Sequence, residues 1–323
     1  MAIQTNTEVT YSGVGIREDL ADVIYRVARE ETPFLSMIGK SKASATKHEW
    51  QKESLAAVDT ANAQLEGDQF TTYTSANNPT RLYNNCQISS KKVSVSGTAE
   101  AVDFAGRASE LDRQMVLKGL ELKRDMEAII CQNQSRVDGD ATTARQLHAA
   151  EGWYSSNDSR GSGGADGNPA TPTAATDATT TNMRAITPGL IKTVAQLIWA
   201  SGGKPTTLLC SGTQKGNISG MSLNDSTTGI GITKYQDTTD AMAVFGIDVL
   251  VTDFGKLRIV PSIHVRSRTI QIIQPDMWAV AYLRNMKTMD LAKRADSTDK
   301  AIVCEYTLEC RNEAASGVIA DLS

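Results

Sequence analysis

Apolar side chains at Leu20, Val23, Ile24 and Val27 recur at helical spacing between Arg17 and Glu30, and Thr32-Pro33 follows as a stop signal. The spacing predicts a short amphipathic helix behind a polar start. Its apolar stripe needs a surface to lie on, either the chain's own core or a neighbouring copy. From Thr46 to Gly97 the pattern changes. TKHEWQKES and RLYNNCQISSKKVSVSG read as two strands, yet polar residues occupy both alternating faces over most of their length. Such a hairpin gains little from burial in its own domain. Between the strands lies AAVDTANAQLEGDQFTTYTSANNP, longer than most connections in compact domains, with Leu65, Phe70 and Tyr73 scattered through it. A disordered loop explains the length alone. A projecting arm whose partner sits on another molecule explains both the length and the polarity.

The strongest periodicity follows. Ser109 with Asp112 resembles a capping signal, and Leu111, Met115, Leu122, Met126 and Ile129, joined by Leu117, Leu120 and Ile130, mark an apolar stripe as far as Asn133. This predicts a rod roughly 35 to 45 Å long. Its other face, with Arg113, Lys118, Glu121, Lys123, Arg124, Asp125 and Glu127, reads as solvated and laced with i,i+4 pairs. Gly119 inside it costs about 1 kcal/mol relative to Ala unless a close backbone contact offsets that. Residues from Ser155 to Asn182 are nearly free of apolar side chains and read as a long surface loop that burial cannot order. Pro188 to Ala200 reads as a second amphipathic helix closed by Gly202-Gly203, followed by a short buried strand at Leu208–Cys210. The last third alternates strands and turns. In its final strand Cys304, Tyr306, Leu308 and Cys310 share one face and Glu305, Thr307 and Glu309 the other, the pattern of a half-buried strand.

Composition and charge narrow the function classes. A net charge of -4 and a pI near 5.5 argue against a chain whose affinity comes from neutralising phosphates. No apolar run approaches the roughly 18 residues of a membrane span, and MAIQTNTEVTYSG lacks the character of a signal peptide, so a soluble protein made in the cytoplasm is expected. Cys86, Cys131, Cys210, Cys304 and Cys310 show no CxxC spacing. They read as small buried hydrophobes kept reduced, with an intermolecular disulfide through Cys304 or Cys310 as the lesser alternative. GKS at Gly39–Ser41 lacks the first glycine of a phosphate loop and follows a helix, while GVGIRE lacks the third glycine of a dinucleotide fingerprint. The DGD at Asp138–Asp140 reads as a helix-ending turn. His48, His148 and His264 are isolated from one another and from any GxSxG or HExxH motif, which gives each a structural role by default. No catalytic residue, cofactor or metal site is expected, and the chain does not read as an enzyme.

Four segments carry a resemblance. ETPFLSMIGKSKASATKHEWQKESL, VSGTAEAVDFAGRASELDRQMVLKGLELKRDMEAII, WASGGKPTTLLCSGTQKGNISGM and PDMWAVAYLRNMKTMDLAKRADSTDKAIVCEYTLECRNEAA together, in order, resemble one family of tailed-bacteriophage major capsid proteins with the Hong Kong 97-type shell fold. The resemblance implies an α+β fold. Its parts would be an N-terminal arm with a short helix over 1–45, an extended β-hairpin loop over 46–97, and a peripheral domain with a spine helix over 98–150. A polar surface loop over 151–187, an axial domain over 188–298 and a return strand to the peripheral domain over 299–323 complete it. It further implies self-assembly into hexamers and pentamers of an icosahedral head around double-stranded DNA, with assembly in the host bacterial cytoplasm. The partners it implies are copies of the chain, a separate scaffolding protein, a portal, the non-specifically enclosed DNA and a cement protein, and no membrane. On this reading the hairpin arm lies over a neighbour, with residues 57–80 needed for shells but not for the subunit's own fold. Trp50, Phe70 and Tyr73, with Lys52 and Arg81, are the candidate inter-subunit contacts, although the aromatics packing within their own arm is an equal alternative. Rival readings are an encapsulin-like compartment shell, a tail or decoration protein, and a hydrolase with a scattered site.

Overall fold

The computed structural model describes residues 31–67, 77–104, 108–171, 173–221 and 247–323. The helix expected between Arg17 and Glu30 lies outside them, as do Phe70 and Tyr73. In chain order the helices are α1 (Pro33–Met37), α2 (Gly97–Ala101), α3 (Glu110–Cys131), α4 (Ala150–Trp153), α5 (Pro188–Ala200) and α6 (Gly212–Gly220). The strands are β1 (Gly39–Lys42), β2 (Lys47–Lys52), β3 (Thr80–Asn85), β4 (Gln87–Ser96), β5 (Asp158–Ser159), β6 (Thr207–Cys210), β7 (Val249–Thr252), β8 (Gly255–Pro261), β9 (Ile270–Ile273), β10 (Trp278–Asp290), β11 (Ser297–Cys310) and β12 (Gly317–Ile319). Among the described residues no helix is long and apolar enough to cross a membrane.

The capping signal at Ser109 holds: its hydroxyl accepts the Asp112 N–H at 3.2 Å, and α3 runs from there for 22 residues. At 1.5 Å per residue that is about 33 Å, a little short of expectation because the helix stops at Cys131. Its buried residues Leu122, Met126 and Ile130 pack on Ile302, Cys304, Tyr306 and Leu308 of a four-stranded sheet ordered β1-β10-β11-β4. One residue of the expected solvated face is misplaced. Glu127 is fully buried, and its two carboxylate oxygens accept the Phe34 and Leu35 N–H groups at 2.8 and 2.9 Å. It satisfies the N-terminal donors of α1 that a short helix cannot satisfy itself. Helical periodicity does not show that demand, because the donors lie 92 and 93 residues away in the chain.

RLYNNCQISSKKVSVSG is not one strand. It breaks at Cys86, whose N–H bonds Thr46 O at 2.8 Å. Before the break β3 pairs with β2, from Lys47 opposite Asn85 to Lys52 opposite Thr80. After it β4 leaves the hairpin and pairs with β11 along its whole length, from Tyr306 opposite Gln87 to Ser297 opposite Ser96. Val93 and Val95 then bury against Leu111, and the polar face stays exposed, as suits the edge strand of a sheet. The half-buried reading of the last strand also fails. β11 lies between two neighbours with both faces covered, so Glu305 and Glu309 are buried as well as Cys304 and Cys310. Their charges are met by Arg145 and Arg284 on Glu305, each at 2.8 Å, and by Arg311 on Glu309 at 3.1 Å. All five cysteines are buried free thiols, so neither Cys304 nor Cys310 offers a sulfur to a second molecule.

The second sheet has six strands in the order β5-β12-β9-β6-β8-β7. β6, β9 and β12 are buried at every position, in keeping with their short, largely apolar runs TLLC, IQII and GVI, and the polar Thr207 and Gln271 are buried with them. Leu208 and Cys210 face α5 through Val194 and Ile198, whereas Leu209 faces Trp153, Tyr154 and Trp278, so one sheet supplies both cores. At Gly317 an added Cβ would meet Asn157 O at 2.5 Å and Val194 Cγ1 at 2.7 Å, which fixes glycine where β12 passes under α5.

The polar stretch from Ser155 to Asn182 is more ordered than burial of apolar area could make it. β5 adds in parallel to β12, and Asn157 donates to Ala314 O at 2.6 Å. Asp321, fully buried, accepts the Gly161 and Ala178 N–H groups at 3.0 and 2.8 Å and the Arg268 guanidinium at 3.1 Å. Arg266 bridges the buried Glu151 to Asp177. Charge-assisted hydrogen bonds of roughly 1.5 to 3 kcal/mol each supply what apolar side chains do not. Hydrophobic patterning is blind to them.

Candidate assembly interface

The β2–β3 hairpin has a fixed root. Trp50 packs inward from β2, its ring centroid 5.4 Å from that of the buried Trp153, and its indole N–H donates to Cys310 O at 2.8 Å. His48, two residues earlier on the same face, lies 5.7 Å from the Trp50 ring and brings Nε2 to 3.4 Å from Glu309 Oε2. Lys52 continues the row, 3.3 Å from Glu313. Alternation therefore puts His48, Trp50 and Lys52 against the body of the subunit.

β3 is pinned from its other end. Asn84 is fully buried and donates to Leu308 O at 2.7 Å and His148 O at 3.1 Å, while its carbonyl accepts the His148 and Asn85 N–H groups at 2.8 and 2.9 Å. Asn85 donates to Val137 O and to the Asp138 carboxylate. The Tyr83 ring has two cations over it, Lys47 and Arg136, each 3.6 Å from the centroid.

Electrostatics at the root follow from burial. The His48 hydrogen bond, followed by those from Ser41 and Arg311, holds the Glu309 carboxyl well down, at about 2. Burial pushes His148 down to about 4, because its imidazole packs against Trp153 at 5.3 Å where a charge is poorly solvated. Burial pushes the Cys86 thiol up to about 11.

Beyond Lys52 the arm changes character. Every described residue from Glu53 to Gly67 is exposed, including Leu55 at 97%, Val58 at 90% and Leu65 at 81%. The sequence-predicted contacts therefore separate. Trp50 and Lys52 are engaged within the subunit, Arg81 is exposed and lies 3.4 Å from Glu49 across the ladder, and Phe70 and Tyr73 lie outside the described residues. Leu55 and Val58, exposed on the same arm, are not among the sequence-predicted contacts. The signal they carry in the sequence is that of apolar side chains in a polar segment with no periodicity to give them a core. The Asp138–Asp140 turn is local: Asp140 Oδ1 accepts the Thr142 and Thr143 N–H groups, both at 2.7 Å.

A family model described as SU10 major capsid protein matches residues 3–323. A curated protein of Escherichia phage Phieco32, described as major capsid protein, is 38% identical over 131 residues, covering 40% of this chain and 37% of that relative. This chain thus spans well under two thirds of that relative's length. Among solved structures, a chain from Mycobacterium phage Bobi superposes with a TM-score of 0.60 at 12% identity, over 94% of this chain and 95% of that one. A chain of the holo-SrpI encapsulin complex from Synechococcus elongatus gives 0.56 at 10% identity, over 95% and 93%. At such identities the likeness establishes the fold, which is the α+β Hong Kong 97-type shell fold.

Proposed function

The chain belongs to the SU10 major capsid protein family, and on that footing we propose that it assembles with copies of itself into the hexamers and pentamers of a tailed-phage head enclosing double-stranded DNA. The observation that carries this reading is the contrast along one arm. Its root is held by buried hydrogen bonds and ring contacts, while its outer part displays Leu55, Val58 and Leu65 to solvent. Apolar side chains at 81 to 97% exposure on a polar arm gain nothing in a lone subunit, and exposed apolar groups of this kind mark interaction sites. In the shell the arm lies over a neighbouring copy, with α3 as the spine of a peripheral domain and the six-stranded sheet forming most of an axial domain. Phe70, Tyr73 and Arg81 join the arm's outer contacts. Trp50 and Lys52 support the interface by fixing the root. A separate scaffolding protein, a portal and a cement protein complete the particle, and assembly takes place in the host cytoplasm. The subunit's work is a summed interface energy with no catalytic step.

Replacing Leu55, Val58 and Leu65 together by Asp tests this. The subunit should unfold in urea within about 0.5 kcal/mol of the parent, since fully exposed positions contribute little to the fold. Expressed with its phage partners it should give no closed particles in electron micrographs. Full-sized particles from the triple variant would remove the arm from the mechanism. An encapsulin-like compartment is the second reading, supported by the fold likeness to the encapsulin chain, and an enzyme cargo inside purified particles would favour it.

A further inference from the structure

A groove of about 1060 Å³ runs between α1, the middle of α3 and the second half of β10. It exists because β1 is short. β1 covers β10 only from Ala279 to Tyr282, and register shifts follow at Tyr282/Arg284 and Arg284/Lys287, so the strand turns away with that edge unpaired by β1. Ile38, Met126 and Met286 give the groove an apolar lining. Among the described residues, every charged one lining it is basic: Lys40, Lys42, Lys123, Arg284 and Lys287. Arg284 is paired with Glu305, but among the described residues none of the four lysines has a carboxylate within salt-bridge distance. An apolar trough ringed by lysines that no described carboxylate meets suits an occupant that is apolar on one side and acidic beside it.

We propose that the occupant is the chain's own segment 17–30, lying as an amphipathic helix in the groove of the same subunit. The described chain begins at Glu31, and Thr32, Leu35 and Ser36 already line the groove, so the segment starts at its lip. Leu20, Val23, Ile24 and Val27 supply the apolar stripe. Five of the eight charged residues from Arg17 to Glu31 are acidic, and Glu18, Asp19 and Asp22 cluster around the first turn. A helix of that length is about 21 Å long and needs no linker to enter. The buried Glu127 carboxylate fixes the direction in which the chain arrives, because it holds the first amides of α1. The inference is independent of the shell reading, since it concerns the subunit before assembly.

The test uses Met286→Cys, whose side chain lines the groove, in the full chain kept dilute enough for light scattering to report monomer. The five native cysteines are buried and stay silent toward a maleimide. The introduced thiol should react at least tenfold faster when Leu20→Asp and Ile24→Asp are added. Equal rates would overturn the proposal. Charge reversal at the exposed Lys40, Lys42 and Lys123 to Glu should accelerate labelling in the same way, and adding Glu18→Lys, Asp19→Lys and Asp22→Lys should restore slow labelling. Failure of that rescue also overturns it, as would protection that strengthens with protein concentration, which would assign the groove to a second copy. Particle formation is scored separately, so loss of shells with unchanged labelling counts against the arm and not against this groove.

Discussion

Asn84 makes four hydrogen bonds from a fully buried side chain and ties β3 to β11 and to the loop before α4. Removing it takes this partner from the Leu308 carbonyl and from the His148 and Asn85 amides, while His148 O keeps the Trp153 indole N–H at 3.3 Å. Asn84→Ala should therefore cost roughly 2 to 4 kcal/mol in urea unfolding, well beyond the value of an exposed polar residue. His148 beside it gives a pH dependence of known sign. Its folded pKa of about 4 lies below the usual 6.5, so the stability it confers is fully present above pH 6.5 and lost as pH falls toward 4, by up to about 3 kcal/mol. Glu309, held at about 2, acts in the same direction at lower pH, between 4.5 and 2. Glu127 and Glu151, pushed up by burial, act in the opposite direction. The measurement is accordingly a difference: unfolding free energy against pH for the parent minus that for His148→Gln, which should slope between pH 6.5 and 4. A flat difference would place His148 in a wetter site than the packing against Trp153 implies.

At the scale of elements, what was legible and what was not divides by mechanism. α3 and α5 could be read from caps and apolar spacing, and β6 from its apolar run, because each is positioned by burial of its own side chains. The break at Cys86, the switch of β4 to β11 and the order in the 155–182 stretch could not be read in that way. They depend on partners far along the chain: Thr46, Tyr306 and Asp321. Along the hairpin, the polar character of both strands was legible, whereas its division into a docked root and an exposed outer part was not, since Trp50 and Leu55 look alike without Trp153 and Cys310 in view. That division corrects the size of the dispensable segment. Thr80 pairs with Lys52, so a deletion through residue 80 cuts into the ladder, and one confined to 57–77 with a short Gly-Ser closure should leave subunit stability within about 1 kcal/mol. Gly119 offers a second element-scale test. Its nearest neighbour to an added Cβ is Ile302 Cδ1 at 3.8 Å, an ordinary contact. Gly119→Ala should thus stabilise the isolated subunit by about 1 kcal/mol in thermal unfolding. If the same variant then assembles poorly, a neighbouring backbone crosses α3 at that point.

At the scale of the molecule, the described residues form a four-stranded and a six-stranded sheet, the latter feeding both cores through β6, β9 and β12, with a hairpin arm rooted on the four-stranded sheet and its described outer residues unsupported. The cores explain why one copy folds. They do not explain Leu55, Val58 and Leu65, which no described residue covers and which the proposed shell would bury against another copy. The most direct test is electron microscopy of the 57–77 deletion beside the full chain, each expressed with the phage's assembly partners and each first shown to unfold cooperatively. The account predicts uniform closed shells from the full chain and only folded, unassembled subunits or open fragments from the deletion. Closed shells of normal size from the deletion, or tubes and monomers alone from the full chain, would contradict it.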